Sequence, residues 1–432
     1  MTASHSDAAL GTDAPPAGAS PLLLPPGARL LHIGLPKTGT TALQRTAVRL
    51  RGRLASSGVV YPRTLTKRHD HLLPAAALMN KKVADTSGVP GREHWEDLRR
   101  RVEEAEDARV WVSHEWISEC DDDQARRFRD ELGPQLHAVV SVRQFGTIVT
   151  STWQEFLKST MLHDFETWIR YILTDDEAPD AHTRWQVDAF RRRASQGEVV
   201  ARWARVLGPE NVTVVVVDPA HRSQLTDAFE DMLGLPRTML QAEERGSVSN
   251  RSMTVDEASV MLALNREYDR PNTALERRRG RLPIDLPHAL LNRTPGEDER
   301  RLLLPRWAAQ IADARGAAHA DEIEASGVRV VGDLAALRAP SRFTEDDGHN
   351  VAARVPVDLA VRAAIGLAAD ARQHGEAALR EQAASRADAT PEHPRSLDDA
   401  SGRELVAGAA RRLADRARRL AGGARRRLRR HG

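Results

Sequence analysis

The chain has 432 residues, of which 41% are hydrophobic, 29% charged and 4% aromatic, a balance that suits a soluble globular core and argues against a wall of stacking aromatics for nucleic acid. The net charge of +2 conceals a segregation, because residues 403–432 hold eleven Arg against Glu404 and Asp415; the body is acidic, and the tail's basicity points to no nucleic-acid partner. Cys120 is the single cysteine, which excludes an intrachain disulfide and a multi-cysteine metal site and fits a reducing compartment.

Residues 1–27, rich in Ala, Pro, Gly, Ser and Asp, are expected to form a disordered leader. They lack a basic segment followed by a long apolar one, and no run in the chain approaches about 18 apolar residues. Neither secretion nor a membrane span is expected, and the expected location is cytoplasmic. The apolar run 28–33 reads as a buried strand, followed by a helix over 40–54. Strands are then expected over 110–113, 138–142 and 212–217, with helices over 93–106, 123–132, 144–158, 199–207 and 224–233. The alternation predicts an α/β fold, a P-loop-like parallel sheet flanked by helices. The stretches 65–91 and 162–186 read as loops that build a substrate pocket. An edge strand over 328–331 would close the main domain, 28–340. Residues 341–400 are read as a helical extension and linker, with a loop over 340–356 and a helix over 357–386, and 401–432 as a basic amphipathic tail suited to an anionic membrane surface.

The chemistry concentrates in LLHIGLPKTGTTALQ, which sets Gly34, Pro36, Lys37, Thr38, Gly39, Thr40 and Thr41 between the first strand and the first helix. Glycines let successive N–H groups point inward, the helix N-terminus adds its dipole, and Lys37 adds a full charge, so the loop suits a phosphate or sulfate. A nucleoside-triphosphate loop of the G-x-x-x-x-G-K-[ST] kind carries its lysine just after the second glycine. Here the lysine lies inside the loop, which speaks against an obligatory magnesium ion. In HAVVSVRQFGTIVTSTW, Arg143 ends a strand and Ser151 follows eight residues later on a helix, a spacing that lets a guanidinium and a hydroxyl converge on a second anion.

GLPKTGTTALQ resembles the loop that binds 3'-phosphoadenosine 5'-phosphosulfate (PAPS) in the sulfotransferase superfamily, especially its bacterial members with a P-K-T-G-T-T core, and the likeness extends over roughly residues 28–275. It implies that Lys37 contacts the bridging and sulfuryl oxygens, that loop amides and threonines hold the 5'-phosphate, with Gln44 a weaker candidate, and that Arg143 and Ser151 hold the 3'-phosphate. It also implies nucleotide contacts for Asn250 and Ser252, although Ser252 or Thr254 would serve equally as a helix cap. For the base that takes the acceptor proton, SHEW offers Glu115 first and His114 next, at the end of a strand where the superfamily places a His or Glu. HDHLL offers His71, matching a histidine that bacterial members carry before a helix. His69 and His71 without a third ligand make a poor zinc site, so no metal is expected. The acceptor implied is a hydroxyl or amine on a carbohydrate or glycolipid. Two other readings remain open at this stage: a nucleotide kinase using Asp218 at the end of VTVVVV, and a non-catalytic nucleotide-binding partner protein.

Overall fold

The computed structural model describes residues 20–66, 71–83, 88–158, 161–241, 251–269, 285–352 and 355–368. Eight strands and thirteen α-helices are named among them: β1 Arg29–Gly34, α1 Thr40–Ser56, β2 Val59–Val60, α2 Leu72–Leu78, α3 Glu93–Glu103, β3 Arg109–Ser113, α4 Asp122–Leu132, β4 Leu136–Val142, α5 Phe145–Leu157, α6 Phe165–Leu173, α7 Ala181–Ala194, α8 Gln196–Leu207, β5 Val212–Val216, α9 Gln224–Leu233, α10 Val255–Asp269, α11 Asp285–Leu291, β6 Leu304–Pro305, α12 Arg306–Ala325, β7 Arg329–Val331, α13 Ala335–Arg338 and β8 Phe343–Thr344.

Six strands form one parallel sheet in the order β2-β3-β1-β4-β5-β7, and β6 pairs with β8 in a small parallel ribbon. The interior strands are continuous apolar runs because both faces are covered by helices. On one face Leu31, Ile33, Val112, Val140 and Val214 pack with Phe128 of α4 and Trp203 of α8. On the other, Leu30, Trp111, Val139 and Val215 meet Leu43 of α1 and Phe229 of α9. A third cluster joins α5, α6, α7, α10 and α12 through Trp153, Trp168, Phe190 and Met261.

The chain leaves β1 between β3 on one side and β4 on the other. At such a switch point the carboxyl ends of neighbouring strands diverge and leave a crevice in which open α/β sheets bind ligands. His32 of β1 stands beside Ser113 of β3, and Gly34 beside Ser141 of β4, so three strands deliver their next residues to that crevice.

The strands and helices expected between residues 28 and 331 are present, with ends shifted by a few residues, and of the helix expected over 357–386 the described part, 357–368, is helical. Three differences have physical reasons. Residues 20–27 are packed, not leader: Leu24 is buried, its N–H donates to the Met232 carbonyl and its carbonyl accepts from Arg109 Nε at 2.7 Å. Both expected loops hold helices: 65–91 contains α2, and 162–186 is largely α6 and the start of α7, the latter two each opened by an aspartate whose side chain accepts from the third residue on, Asp164 from Thr167 and Asp180 from Thr183. Those D-x-x-T caps are visible in the sequence, as is the helical apolar period of Phe165, Trp168, Ile169, Ile172 and Leu173, which α6 buries. Beyond residue 340 the chain still belongs to the compact unit, which runs to Leu367; Ser341 bonds to Asp313 of α12, and Leu359, in the helix that starts at 357, is buried in the third cluster. Residues 1–19 of the expected leader and 369–432, with the linker and basic tail, lie outside the described residues.

Candidate active site

Between β1 and α1 the chain makes the turn that an anion cradle requires. Lys37 (φ 69°) and Gly39 (φ 89°) both take the left-handed conformation, which costs a non-glycine residue about 1–3 kcal/mol unless its surroundings fix it. Gly34 is obligatory for a different reason, because a Cβ there would lie 1.8 Å from Thr40 Oγ1. Thr38 is buried and donates its hydroxyl proton to the Leu35 carbonyl at 2.7 Å. Gly39 and Thr41 face solvent at the start of α1, where the first N–H groups of the helix have no intrahelical partner.

Arg143, one residue beyond β4, reaches across to this loop: Nη1 donates to the Lys37 carbonyl at 2.9 Å. Its backbone is held on both sides by the Gln196 amide, which accepts from the Arg143 N–H and donates to its carbonyl, each at 2.8 Å. Burial lowers its pKa, and its Nε is buried with no hydrogen-bond partner among the described residues. The guanidinium therefore braces the loop and keeps donor capacity in reserve. Ser151 lies on the same wall, but its hydroxyl donates back to the Thr147 carbonyl at 2.6 Å.

Pro36, Lys37, Gly39, Thr40, Thr41, Arg143 and Ser151 line one cavity of about 690 Å³, together with Arg45, Glu115, Glu155, Lys158, Arg193, Arg251, Ser252 and His288. That size lies in the range of small-molecule sites. The two glutamates differ sharply. Glu155, four residues after Ser151 on α5, accepts from Lys37 Nζ at 2.6 Å and from Lys158 Nζ at 2.8 Å; desolvation alone would raise its carboxyl, and the two lysines overcome this and hold it at about 2. Glu115 has no hydrogen bond or ion pair at its carboxylate among the described residues. Burial raises its pKa, with the Arg193 charge the largest opposing influence, Glu155 pushing the same way as burial, and Lys37 opposing it. Of the two glutamates in this cavity, it is the one whose carboxyl is shifted toward exchanging a proton.

Two expected bases are not brought into the cavity. His71 is buried, with Nδ1 accepting from the Ser113 N–H at 3.1 Å and Nε2 facing the Pro62 carbonyl at 3.0 Å. Both nitrogens are committed, so His71 ties the end of β3 to the strand-following segment at Pro62. His114 caps the short 3-10 turn Glu115–Glu119, its Nδ1 accepting from the Trp116 N–H at 3.1 Å. Gln44 also turns away from the cavity and donates to the carbonyl and hydroxyl of Ser113, both at 3.1 Å. Asp218 accepts from the Ala220 N–H as a turn cap, faces His221, and is not among the residues lining the cavity. Ser252 is at the cavity wall, and the cap of α10 falls to Thr254, which exchanges hydrogen bonds with Glu257. His69, Asp70 and Asn250 lie outside the described residues. Among the described residues no three His, Cys, Asp or Glu side chains converge as a metal site would.

No family model and no curated protein matches the chain. Among solved structures it is similar to the crystal structure of a sulfotransferase from Alicyclobacillus acidocaldarius, with 13% identity over 72% of this chain and 99% of that one and a TM-score of 0.39. A likeness that loose carries no argument about this chain's chemistry.

Sequence reasoning passed over Glu155 and Arg193. Glu155 was legible as the residue one turn after Ser151 on the same helix face. Arg193 was not, since it arrives from the end of α7 and is aimed by Glu119, a carboxylate 1% exposed that also pairs with Lys81 and Arg192.

Proposed function

We propose that this protein is a sulfotransferase that moves a sulfuryl group from PAPS to a hydroxyl or amine acceptor. The observation that carries the proposal is the convergence on one cavity of a lysine-bearing anion loop, a second cation at the end of the neighbouring strand, and a glutamate whose carboxylate has no bonded partner among the described residues. The donor has two anionic ends, and the residues fit both: Lys37 with the open amides of 39–41 suits the phosphosulfate, and the guanidinium of Arg143, which lines the same cavity, suits the 3'-phosphate. Ser151 contributes less, because its proton is already bonded within the helix.

When bound, PAPS supplies an activated sulfuryl group whose transfer, like phosphoryl transfer, is governed by positioning and charge stabilisation. Glu115 takes the proton of the acceptor hydroxyl or amine. Lys37 leaves Glu155 and stabilises charge on the departing phosphate. The acceptor class proposed from the sequence resemblance is a carbohydrate or glycolipid, with the basic tail 401–432 as a contact for an anionic membrane; pelleting on anionic vesicles, compared with a chain ending at residue 400, tests the tail.

The deciding experiment is a calorimetric titration against PAPS, adenosine 3',5'-bisphosphate and ATP, followed by an acceptor screen with labelled PAPS. The reading expects the two 3'-phosphorylated nucleotides to bind and ATP to bind poorly. Preference for ATP, with magnesium-dependent hydrolysis, would replace it with a kinase-like reading; PAPS binding with no transfer to any acceptor would make the chain a nucleotide-binding partner protein.

A further inference from the structure

His32 sits in the middle of β1 with no solvent exposure, and burial pushes its imidazole down to about 3, so the ring is neutral. Its Nδ1 lies 2.9 Å from the Ser113 hydroxyl on β3, and its Nε2 lies 3.3 Å from the Ser141 hydroxyl on β4. Ser141 Oγ in turn is 2.9 Å from Thr38 Oγ1 in the anion loop. On the other side Gln44 donates to Ser113 Oγ at 3.1 Å.

Counting protons assigns every link. Thr38 has one hydroxyl proton and gives it to the Leu35 carbonyl, so it accepts from Ser141. Ser141 has then spent its proton and must accept from His32, which places the ring proton on Nε2. A neutral ring with Nε2 protonated accepts at Nδ1, so Ser113 donates there and its own oxygen accepts from Gln44. The order runs from Gln44 through Ser113, His32 and Ser141 to Thr38, with no donor left over and no clash of two protons.

The partners lie beside the functional groups. Ser113 is two residues before Glu115, Ser141 two before Arg143, and Thr38 follows Lys37. Thr38 also lies between the two left-handed residues of the loop, a conformation that persists only where its surroundings over-determine it. We infer that Gln44, Ser113, His32, Ser141 and Thr38 form one directional hydrogen-bond chain that fixes the anion loop against the strands carrying Glu115 and Arg143, and that His32 is its central positioning residue. The inference rests on the proposed function only for the identity of the anion that the loop holds.

A second buried histidine separates positioning from plain stability. His137, near the amino end of β4 and so at the opposite ends of the strands from the crevice, pairs with Thr213 Oγ1 at 2.9 Å, and burial lowers it to about 4. His32→Phe and His137→Phe both remove a buried ring's hydrogen bonding, and both should lower Tm. Only His32→Phe should speed hydrogen exchange of the amides at 38–42 and weaken adenosine 3',5'-bisphosphate binding, by about tenfold, the worth of one or two buried hydrogen bonds. Ser141→Ala should act in the same sense. Nitrogen-15 NMR of the unmodified protein should show His32 protonated on Nε2 and bare on Nδ1. A proton on Nδ1, loop exchange unchanged in Ser141→Ala and His32→Phe, or equal loop effects in the two histidine variants would overturn the inference. If the unmodified protein binds no 3'-phosphorylated nucleotide, the proposed function fails, and the NMR and exchange measurements still decide the hydrogen-bond chain.

Discussion

The exit of β3 and the last turn of α5 each place one glutamate in the same cavity, and the two are in opposite electrostatic states. Glu155 meets two lysines and is held at about 2, a fixed negative charge that aims Lys37. Glu115 meets no bonded partner among the described residues, and burial raises it. Identical side chains thus have different duties because their neighbours differ, and a pair of carboxylates driven apart in this way marks which one can trade protons.

The comparison is broken most severely by Glu115→Gln, which keeps the shape and removes the base. Turnover with labelled PAPS should fall roughly 10²- to 10⁴-fold while PAPS affinity changes little; a large affinity loss with kcat intact would move Glu115 from proton transfer to binding. Lys37→Ala comes next, with kcat lower by about 10²- to 10³-fold, the scale of a lost charge-stabilising donor. Arg143→Ala should mainly weaken PAPS, by roughly ten- to a hundredfold in Kd, because a buried charge-assisted bond is removed far from the reacting sulfur. Unchanged affinity would relocate the second anion site.

Smaller effects sharpen the contrast. Glu155→Gln removes a competitor for Lys37 and a negative charge beside the anion site, so PAPS should bind a few times more tightly, an effect that shrinks with salt. The pH response has opposite signs at the two glutamates. Glu115, raised in the folded state, favours folding at low pH and costs stability as pH rises through its folded value; kcat rises over that same window as the base ionises. Glu115→Gln should therefore raise Tm by a few degrees at neutral pH even as it abolishes most turnover. Glu155, lowered, contributes stability above its unfolded value and loses it only as pH falls toward about 2, and its half-exposed position keeps that contribution small.

Much of the sheet was legible because its strands are buried on both faces and so read as apolar runs, as VTVVV of β5 does. The 3-10 turn Glu115–Glu119 and the two-residue β2 have too few residues for any period to show. The histidines misled for a related reason. A histidine before a helix looks the same in sequence whether its nitrogens face a substrate or, as in His71, a backbone N–H and a carbonyl.

By itself the sequence determined the local parts of the site: a glycine where Thr40 leaves no room for a Cβ, an interior lysine instead of one after the second glycine, and an arginine at the end of a strand. These are settled by residues within one turn of the chain, where sterics and backbone geometry act. Only the tertiary structure decided which glutamate stays ionised, which histidines are anchors and how the loop is held from below. Those outcomes depend on where protons sit and what water is excluded, and the groups that fix them, such as Glu155 facing Lys37 from 118 residues away, become neighbours only when the sheet and its helices pack.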